Sequence, residues 1–565
     1  MEKQPKKYFK KPSKSAPAVQ IIPLGGLDGI GRNMQVIRYK DDIIIIDAGM
    51  MFPDDTMLGI DKVIPDMTYI RENKDKVRAI ILTHGHEDHI GALSFLCDEV
   101  HVPIYATRLT MGLAENKLRG HQKKGIKKVV VSSRQKVDIG PFNIEFIQVN
   151  HSIPDGVGLA IRTPAGIVVH TGDFKIDHTP VDGKVIDLSK FAELGDEGVL
   201  VLMSDSTNAD DEGYTLSERV VGETFDRIFK QVKGRIIIAT FASNIHRIQQ
   251  AIDVSIKCGR KFVLMGKSME ENGDITHRLG YLKYPEGSRL TIEDTRGANP
   301  NLITVITTGS QGEPMSALTK MAKNEFKHLK VTKDDTIIIS AIPIPGNEKA
   351  VIRNVDNLFK LGANVIYEAD SDVHVSGHAK REEQKIMLNL VKPKYFIPIH
   401  GEYRHLKYHA SIAESMGMAP QDIFVAENGD IMEFSKNGAR IAGKTNGGAI
   451  LVDGLGRGEH DSIVLQDRRI LSREGILTVN VVLSLKQKKL LSDPVIKSRG
   501  FIYMEESDEL IIGTIAAVKK KVGSLLEIST PDMKKIKRDL KNYLRDYLYD
   551  QTHRRPILLV VVTDI

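Results

Sequence analysis

The chain has 565 residues, enough for three or four domains, and its 41% hydrophobic and 27% charged residues are ordinary for a soluble globular protein. Its longest aliphatic runs, residues 43–46 and 557–562, are far shorter than the roughly 20 residues of a membrane-spanning helix, and no signal-peptide pattern follows the basic start. Two cysteines, Cys97 and Cys258, exclude a disulfide framework and a thiolate zinc cluster, so we expect a cytoplasmic protein without a membrane anchor.

Basic residues are concentrated at the two ends of the chain. The net charge is +6, but residues 1–20 carry +5, residues 461–565 carry another +5, and residues 21–460 carry −4. Basic ends suit a polyanionic partner, although a lysine-rich tail can equally serve only solubility. Residues 1–18 combine proline, lysine and serine without an apolar period, so we predict a disordered basic tail.

Residues 19–209 predict a strand-rich block with few long helices. Order begins with the apolar segment AVQIIPLGG, and residues 157–173 have the pattern of a hairpin that turns at Pro164-Ala165-Gly166. Further short apolar strands are predicted at residues 43–49, 79–84, 142–151 and 199–206.

Strands alternate with helices between residues 210 and 370. The strand at 235–243 is followed by a helical stretch, and the strand at 262–266 precedes another helix. This alternation predicts a parallel α/β sheet with helices on both faces. The remaining strands of the segment are predicted at residues 304–310, 336–346 and 364–370.

A glycine-rich stretch at residues 442–458, with one short strand, separates the C-terminal part from the rest. We place a linker at 446–463 and a small α+β domain at 464–565. In that domain we predict strands near 476–485 and 510–517, a helix over 532–550 and a final strand at 557–562. The helix has one apolar face, formed by Met533, Ile536, Leu540, Leu544 and Tyr547.

The strongest chemical signal is the segment THGHEDHIG at residues 83–91. His84 and His86 follow an apolar strand at a spacing of two, and Asp88 and His89 come where a helix should start. Imidazole and carboxylate are the ligands that Zn²⁺ prefers in proteins. Four such groups in six residues at a strand end can serve two metals, with His84 and His86 facing one and Asp88 and His89 facing the other.

Two metals need more ligands, and three further candidates come at or near the ends of predicted strands. His151 ends FIQVNH, Asp173 ends IVVHTGD, and His400 ends KYFIPIH. A carboxylate placed between two metals can bridge them. Taken singly, each of these residues is as well explained by a structural role in the core or at a cap.

In this order, the motifs HxHxDH, H, D and H resemble those of the metallo-β-lactamase superfamily. The resemblance implies an αββα sandwich in which one zinc ion is bound by His84, His86 and His151. It assigns the second zinc ion to Asp88, His89 and His400, with Asp173 as the bridge.

The gap between Asp173 and His400 is 227 residues, which leaves room for an inserted domain. That layout is typical of the β-CASP nucleases, and SDSTN (204–208), HVSGH (374–378) and IHGE (399–402) resemble their extra motifs. The implied organisation is a metallo-β-lactamase domain in two parts, residues 19–209 and 371–445, with a β-CASP domain inserted at 210–370.

Further segments resemble the bacterial ribonuclease J family, and together they cover nearly the whole chain after residue 19. They are PLGGLDGIGRN (23–33), LGIDKVIPD (58–66), TGDFKIDHTP (171–180), FASNIHRIQQ (241–250), TGSQGEPM (308–315) and SRGFIYM (498–504). The resemblance implies a zinc-dependent ribonuclease with 5′→3′ exonuclease and endonuclease activity in RNA maturation and decay, preferring 5′-monophosphate ends.

The resemblance also implies roles for the extra motifs. His378 is the candidate general acid, oriented by Asp205. We expect the HVSGH loop to hold substrate phosphates, and Ser243-Asn244 and Gly309-Ser310, each after a parallel strand, to form a pocket for a 5′ monophosphate. Ordinary helix capping is the alternative explanation for those serine and asparagine residues. The loop residues are His374, Val375, Ser376, Gly377 and His378.

Two cofactor questions stay open at this stage. Histidine and carboxylate ligands favour two zinc ions per chain, but manganese tolerates the same donor set. Asp453 lies in the glycine-rich segment DGLGRGEHD and is a candidate ligand of a structural calcium ion, together with carbonyl groups near residues 57–59.

Three alternatives to the ribonuclease hypothesis are a β-CASP nuclease acting on DNA, a mainly structural subunit of a ribonuclease J complex, and a thioester or lactam hydrolase. The intact HxHxDH motif counts against the structural subunit, and the 227-residue gap counts against the third alternative. As partners the resemblance implies single-stranded RNA and a homodimer or homotetramer, with a paralogous subunit as a further option.

Overall fold

The computed structural model describes residues 17–54, 56–119, 125–313, 315–344, 347–367, 372–454, 456–457, 462–502, 507–527 and 532–565. Apart from Pro17 and Ala18, the predicted basic tail lies outside these residues. No helix among the described residues is both long and apolar enough to cross a bilayer.

The described residues between 17 and 205 form short strands and few long helices, as the short apolar runs predict. The predicted hairpin is present, with Thr163 opposite Gly166 at its turn. The strands are β1 (Val19–Gly25), β2 (Met34–Tyr39), β3 (Asp42–Ile46), β4 (Lys62–Pro65), β5 (Val77–Ile81), β6 (Ile104–Thr107), β7 (Lys128–Val131), β8 (Lys136–Ile139), β9 (Phe142–Gln148), β10 (Val157–Thr163), β11 (Gly166–His170) and β12 (Val199–Asp205). The helices are α1 (Thr68–Glu72), α2 (Glu87–Ile90), α3 (Leu93–Glu99), α4 (Arg108–Leu118) and α5 (Leu188–Glu197).

The next segment is the predicted parallel α/β domain. Its five strands are all parallel, in the order β14-β15-β13-β16-β17. Strands that are consecutive in the chain are joined by crossover connections, as parallel pairing requires. Its elements are α6 (Arg219–Gln231), β13 (Ile236–Ala239), α7 (Ile245–Lys257), β14 (Lys261–Met265), α8 (Lys267–Arg278), β15 (Ile303–Thr307), α9 (Ala317–Ala322), β16 (Thr336–Ile339), α10 (Glu348–Lys360) and β17 (Asn364–Ile366).

After this insertion the chain returns to the two sheets that contain β1–β3 and β5–β12. It adds α11 (Arg381–Val391), β18 (Tyr395–Ile399), α12 (Tyr403–Ser415), β19 (Asp430–Ser435) and β20 (Gly438–Lys444). The eight-stranded sheet then has the order β20-β19-β1-β2-β3-β5-β6-β7, and the six-stranded sheet has the order β18-β12-β11-β10-β9-β8.

The two sheets bury a common apolar core, which confirms the predicted sandwich. Ile37 and Ile44 of the first sheet share one buried cluster with Ile144 and Val201 of the second. A second cluster lies on the other face of the six-stranded sheet, where Phe191 of α5 and neighbouring residues of α11 and α12 pack. On the eight-stranded sheet, α4 packs against β6 and β7.

The C-terminal sheet is organised around β23, which pairs antiparallel with β24 and β25 and parallel with β26. One apolar cluster joins this sheet to the two long helices that lie between β25 and β26 in the chain. The elements are β21 (Ala449–Asp453), β22 (Gly456–Arg457), α13 (Ser462–Glu474), β23 (Ile476–Ser484), β24 (Lys489–Leu490), β25 (Val495–Arg499), α14 (Asp508–Leu526), α15 (Met533–Thr552) and β26 (Ile557–Asp564).

The prediction of a strand near residues 510–517 is wrong, because those residues belong to α14. The run IIGTIAAV is short and rich in β-branched residues, a composition that does not separate a strand from a buried helix. The buried residues Thr514, Ala517, Val518 and Val522 recur at helical spacing. Continuation of that period to Leu526 requires a helix.

By their internal contacts the described residues divide into two compact units. One comprises the chain as far as Phe52 together with Lys62–Ile450, and the other comprises Pro53–Asp61 together with Leu451–Ile565. In the predicted linker, β21 and β22 pair antiparallel, with Val452 opposite Arg457.

Candidate metal centre

Strand ends from both sheets of the sandwich converge on one buried cluster. His84 and His86 follow β5, and α2 contributes Asp88 and His89 directly afterwards. The other members lie just beyond strands of the six-stranded sheet: His151 after β9, Asp173 after β11 and His400 after β18. Residues separated by as many as 316 positions in sequence therefore meet in one place.

Three imidazoles form the first group of possible ligands. Nδ1 of His86 lies 3.1 Å from Nε2 of His84 and 3.0 Å from Nε2 of His151. A tetrahedral zinc site with bonds of about 2.0–2.1 Å has ligand-to-ligand edges of about 3.3–3.4 Å. The nitrogen atoms are therefore spaced as a shared metal ion requires.

The second group combines one carboxylate with two imidazoles. Nε2 of His400 lies 3.3 Å from Nε2 of His89 and 3.3 Å from Oδ2 of Asp88. The Asp88 oxygen is also 3.5 Å from Nε2 of His89. These edges again match a tetrahedral metal site.

The carboxylate of Asp173 lies between the two groups. Its Oδ2 atom is 3.1 Å from Nε2 of His89 and 3.4 Å from Nε2 of His400. The same atom is 3.6 Å from Nε2 of His84 and 3.8 Å from Nε2 of His151. This oxygen is buried, and among the described residues no donor is aligned to hydrogen-bond it. A buried, unsatisfied carboxylate oxygen at this position fits a bridge between two cations.

The outward-facing nitrogens are occupied by hydrogen bonds, so each imidazole, when neutral, would present its inward-facing nitrogen to a metal ion. Nδ1 of His89 donates to Asp47, and Nδ1 of His84 donates to Thr83, whose hydroxyl itself donates to Asp47. Nδ1 of His151 donates to the Gly377 carbonyl, and Nδ1 of His400 lies 2.6 Å from the Thr207 hydroxyl. Such outer partners fix the tautomer that a histidine ligand needs.

Charge is distributed unequally over the cluster. Burial lowers the pKa of His84 and His151 well below the usual range and that of His86 to about 4, so these imidazoles are neutral. Burial also acts on His400, but the Asp173 carboxylate and its neighbours outweigh it and raise the pKa of His400 to about 10. The carboxylate-rich half therefore demands positive charge, which protons or a metal ion can supply.

His378 and Asp205 form a hydrogen-bonded pair beside this cluster. Nδ1 of His378 lies 2.7 Å from Oδ2 of Asp205, and the ring is stacked 5.2 Å from that of His400. Burial lowers the pKa of His378, but the Asp205 carboxylate outweighs it, so the pKa of His378 is raised. The His378 side chain is 18% exposed, whereas that of Asp205 is buried. The pair can therefore hold a proton at an accessible imidazole.

The HVSGH loop is tied down along its length. Nδ1 of His374 accepts a hydrogen bond from Arg247, and the Val375 carbonyl accepts another. The Ser376 hydroxyl accepts from Asn208, and Gly377 lies so close to the His151 ring that a Cβ atom would be 2.6 Å from it. The structure thus brings the loop to the candidate metal centre. Nδ1 of His374, a residue expected to hold substrate phosphate, accepts an internal hydrogen bond from Arg247.

The four residues expected to bind a 5′ phosphate lie at one edge of the parallel sheet. Ser243 and Asn244 follow β13, and Gly309 and Ser310 follow its neighbour β15. The Asn244 side chain caps α7 by accepting the Arg247 N–H at 3.2 Å. Gly309 has a φ of +109°, which favours glycine, and a Cβ there would be 2.5 Å from the Ser316 hydroxyl.

Asp453 is a partner of a cationic side chain. Its Oδ2 atom accepts from Nη2 of Arg468 at 3.0 Å, and Nη1 of the same guanidinium donates to the Leu58 carbonyl at 3.0 Å. Arg468 thus engages Asp453 and one of the carbonyl groups near residues 57–59 that the sequence suggests for a calcium ion.

Sequence reasoning missed several residues that orient the cluster: Asp47, Thr83, Thr207 and Arg247. Asp47 ends the apolar run IIIID, and Thr207 lies within SDSTN. Their positions beside strand ends are the sequence feature that could have identified these two residues. Their hydrogen bonds depend on strand pairing, which the linear pattern does not contain.

The role of Asp47 is testable by metal affinity. We expect Asp47→Asn to weaken zinc binding by about 10–100-fold, because the amide is a poorer acceptor for the His89 N–H. Competition against a chromophoric chelator measures this. Asp335→Asn is the control, since Asp335 is equally buried but pairs with Arg235 in the parallel sheet. Equal zinc affinity in Asp47→Asn and the wild type would contradict the orienting role.

Four family models match this chain. They are the metallo-beta-lactamase superfamily over residues 27–205, the ribonuclease J beta-CASP domain over 233–358, the Zn-dependent metallo-hydrolase RNA specificity domain over 365–426, and the ribonuclease J C-terminal domain over 463–565.

Curated relatives match over nearly the whole chain. Ribonuclease J2 of Bacillus subtilis is 42% identical, covering 98% of this chain and 100% of its own length. Ribonuclease J 1 of Streptococcus pyogenes is also 42% identical, covering 96% and 97%. Ribonuclease J of Helicobacter pylori is 40% identical, covering 98% of this chain and 80% of its own length.

Among solved structures, the crystal structure of a protein of unknown function from Enterococcus faecalis is similar in fold, with a TM-score of 0.51 at 17% identity. It covers 77% of this chain and 100% of that one. Fold, metal centre and full-length similarity agree, and the chain belongs to the ribonuclease J family of metallo-β-lactamase-fold hydrolases.

Proposed function

We propose that this protein is a zinc-dependent ribonuclease that degrades RNA from the 5′ end, also cuts internally, and prefers 5′-monophosphate ends. The observation that carries the proposal is the meeting of two ligand groups at Asp173 beside the His378–Asp205 pair. Single-stranded RNA is the substrate suggested by the names of the relatives and by the RNA specificity model over residues 365–426.

Two zinc ions per chain fit the donor set best. His84, His86 and His151 would hold one, and Asp88, His89 and His400 the other, with Asp173 between them. Zinc supplies charge to neutralise phosphoryl oxygens and lowers the pKa of water toward about 7. Manganese accepts the same donors and is the other metal to test.

His378 has the position and protonation state of a general acid. Hydrolysis forms a bond from a water oxygen to phosphorus and breaks the bond between phosphorus and the 3′ oxygen. Protonated His378 gives its proton to that 3′ oxygen, the attacking water releases one proton to solvent, and His378 is reprotonated from solvent. Asp205 favours the protonated imidazole through their 2.7 Å contact.

The 5′-end pocket of this proposal lies at the edge of the parallel sheet. Ser243, Asn244, Gly309 and Ser310 lie at the carboxyl ends of two adjacent parallel strands, where α/β sheets bind ligands. The HVSGH loop connects this edge to the metal centre. Seating a terminal phosphate there would favour removal of nucleotides from the 5′ end.

The protein is further proposed to act in the cytoplasm and to assemble as a homodimer or homotetramer. Cys97 and Cys258 are not joined by a disulfide, which suits a reducing compartment. Complete ligand groups favour an active enzyme over a mainly structural subunit.

Replacing the bridging carboxylate should remove catalysis. We expect Asp173→Asn to lose RNA cleavage and to bind fewer than the two zinc ions expected of the wild type, because an amide carries no charge with which to bridge two cations. Metal analysis and cleavage of a 5′-monophosphorylated RNA measure both effects. Asp335→Asn controls for removal of a buried carboxylate. Full activity in Asp173→Asn would exclude the two-metal mechanism.

Replacing the proposed acid should lower the rate more than the affinity. We expect His378→Gln to lower kcat by about 10²–10⁴-fold with little change in RNA binding, because the proton is needed only in the transition state. His277→Gln, on α8, is the matched control. A loss confined to binding would reassign His378 to holding substrate.

The state of the 5′ end should control exonuclease rate. A 5′-monophosphorylated RNA should be degraded faster than the same RNA with a triphosphate, because a pocket sized for one phosphate excludes three. Cleavage of a circular RNA measures internal cutting and serves as the reference. Equal rates on both linear RNAs would show that no such pocket acts.

A further inference from the structure

Arg247 is the most completely enclosed cation of the described chain outside the metal centre. Its side chain has no exposed surface and lies on the first turn of α7, in the parallel sheet domain. A buried guanidinium is costly unless every donor is paired. Two donors, Nε and Nη2, bind Glu218 at 2.8 and 2.9 Å.

Of the remaining three donors, one binds the carbonyl group that follows β16, and two reach across to the segment that precedes His378. Nη1 donates to the Ser340 carbonyl at 2.8 Å and to Nδ1 of His374 at 2.7 Å, and Nη2 donates to the Val375 carbonyl at 3.0 Å. All five guanidinium donors are thereby used. A lysine offers three donors from one point and cannot reproduce this fork.

The segment gripped by Arg247 continues directly into the reaction centre. The Gly377 carbonyl accepts from Nδ1 of His151 at 2.8 Å, and His378 then pairs with Asp205. Only Ser376 lies between Val375, whose carbonyl Arg247 holds, and Gly377, whose carbonyl binds His151. A displacement of the loop therefore moves the proposed acid and loosens the support of one metal ligand.

We propose that Arg247 is a positioning residue that holds the HVSGH loop so that His378 faces the leaving 3′ oxygen. This inference rests on the general-acid role of His378 given under the proposed function. Because α7 and its Asn244 cap also border the proposed 5′-phosphate pocket, Arg247 links that pocket to the acid through one side chain. A misplacement of about 1 Å can cost about 10²-fold in rate.

The test compares two leaving groups in three variants. One RNA has an ordinary scissile linkage, and the other has sulfur in place of the bridging 3′ oxygen, so that its leaving group needs no proton. Arg247→Lys keeps the charge opposite Glu218. Arg260→Lys is the matched control, because Arg260 is also buried and donates to Gly234 and Val232 at the opposite edge of the same sheet. His378→Gln reports the loss of the acid itself.

Arg247→Lys should lose at least about 10-fold in kcat on the oxygen linkage and much less on the sulfur linkage, as His378→Gln does. Arg260→Lys should change both rates alike. The ratio of the two rates is unaffected by the fraction of enzyme that is folded. Should Arg247→Lys yield no folded protein, Glu218→Gln weakens the same anchor and should shift the ratio in the same direction.

Equal losses on both linkages in Arg247→Lys, alongside a selective loss in His378→Gln, would overturn the positioning role and leave the proposed function intact. Equal losses on both linkages in His378→Gln itself would instead refute the general-acid role. The two failures are therefore distinguishable in one experiment.

Discussion

The metal centre depends on one constraint, which is the burial of an unsatisfied carboxylate oxygen among imidazole nitrogens. Oδ2 of Asp173 is within 3.8 Å of Nε2 of His84, His89, His151 and His400. Such an arrangement is costly in a low-dielectric interior unless cations occupy the space between the groups. The strand ends of both sheets of the sandwich converge to create it.

A second requirement is that each ligand presents the correct nitrogen. Asp47, Thr83 and Thr207 meet it with hydrogen bonds to the outward nitrogens, and the Gly377 carbonyl does so for His151. The last contact comes from the loop that also carries His378. The HVSGH loop therefore contacts the candidate metal ligand His151 and, through His378, the Asp205 carboxylate, and Arg247 connects this loop to the parallel sheet domain.

The cluster of candidate metal ligands could be predicted because the chemistry of its residues is local. Histidine and aspartate at alternate positions directly after an apolar strand have few structural explanations, and His151, Asp173 and His400 also lie near strand ends. The orienting contacts could not be predicted, because the five guanidinium hydrogen bonds of Arg247 go to acceptors in three other segments of the chain. Their positions depend on strand order and on packing between domains.

The wrong prediction of a strand in the C-terminal domain also has a physical reason. The run near residues 510–517 is apolar and β-branched in the middle of α14, and only the helical recurrence of buried residues beyond it reveals the helix. Asn244 could be expected either to cap α7 or to bind phosphate, since one side-chain oxygen suits both. In the structure it caps the helix with a 3.2 Å hydrogen bond.

If Asp173 lies between two metal ions held by separate ligand groups, both ions should be visible by anomalous scattering from crystals of the zinc-loaded protein, measured on both sides of the zinc absorption edge. Two zinc peaks are expected, one beside His84, His86 and His151 and the other beside Asp88, His89 and His400, with the Asp173 carboxylate contacting both. A single peak within the cluster, or zinc located away from Asp173, would contradict that arrangement.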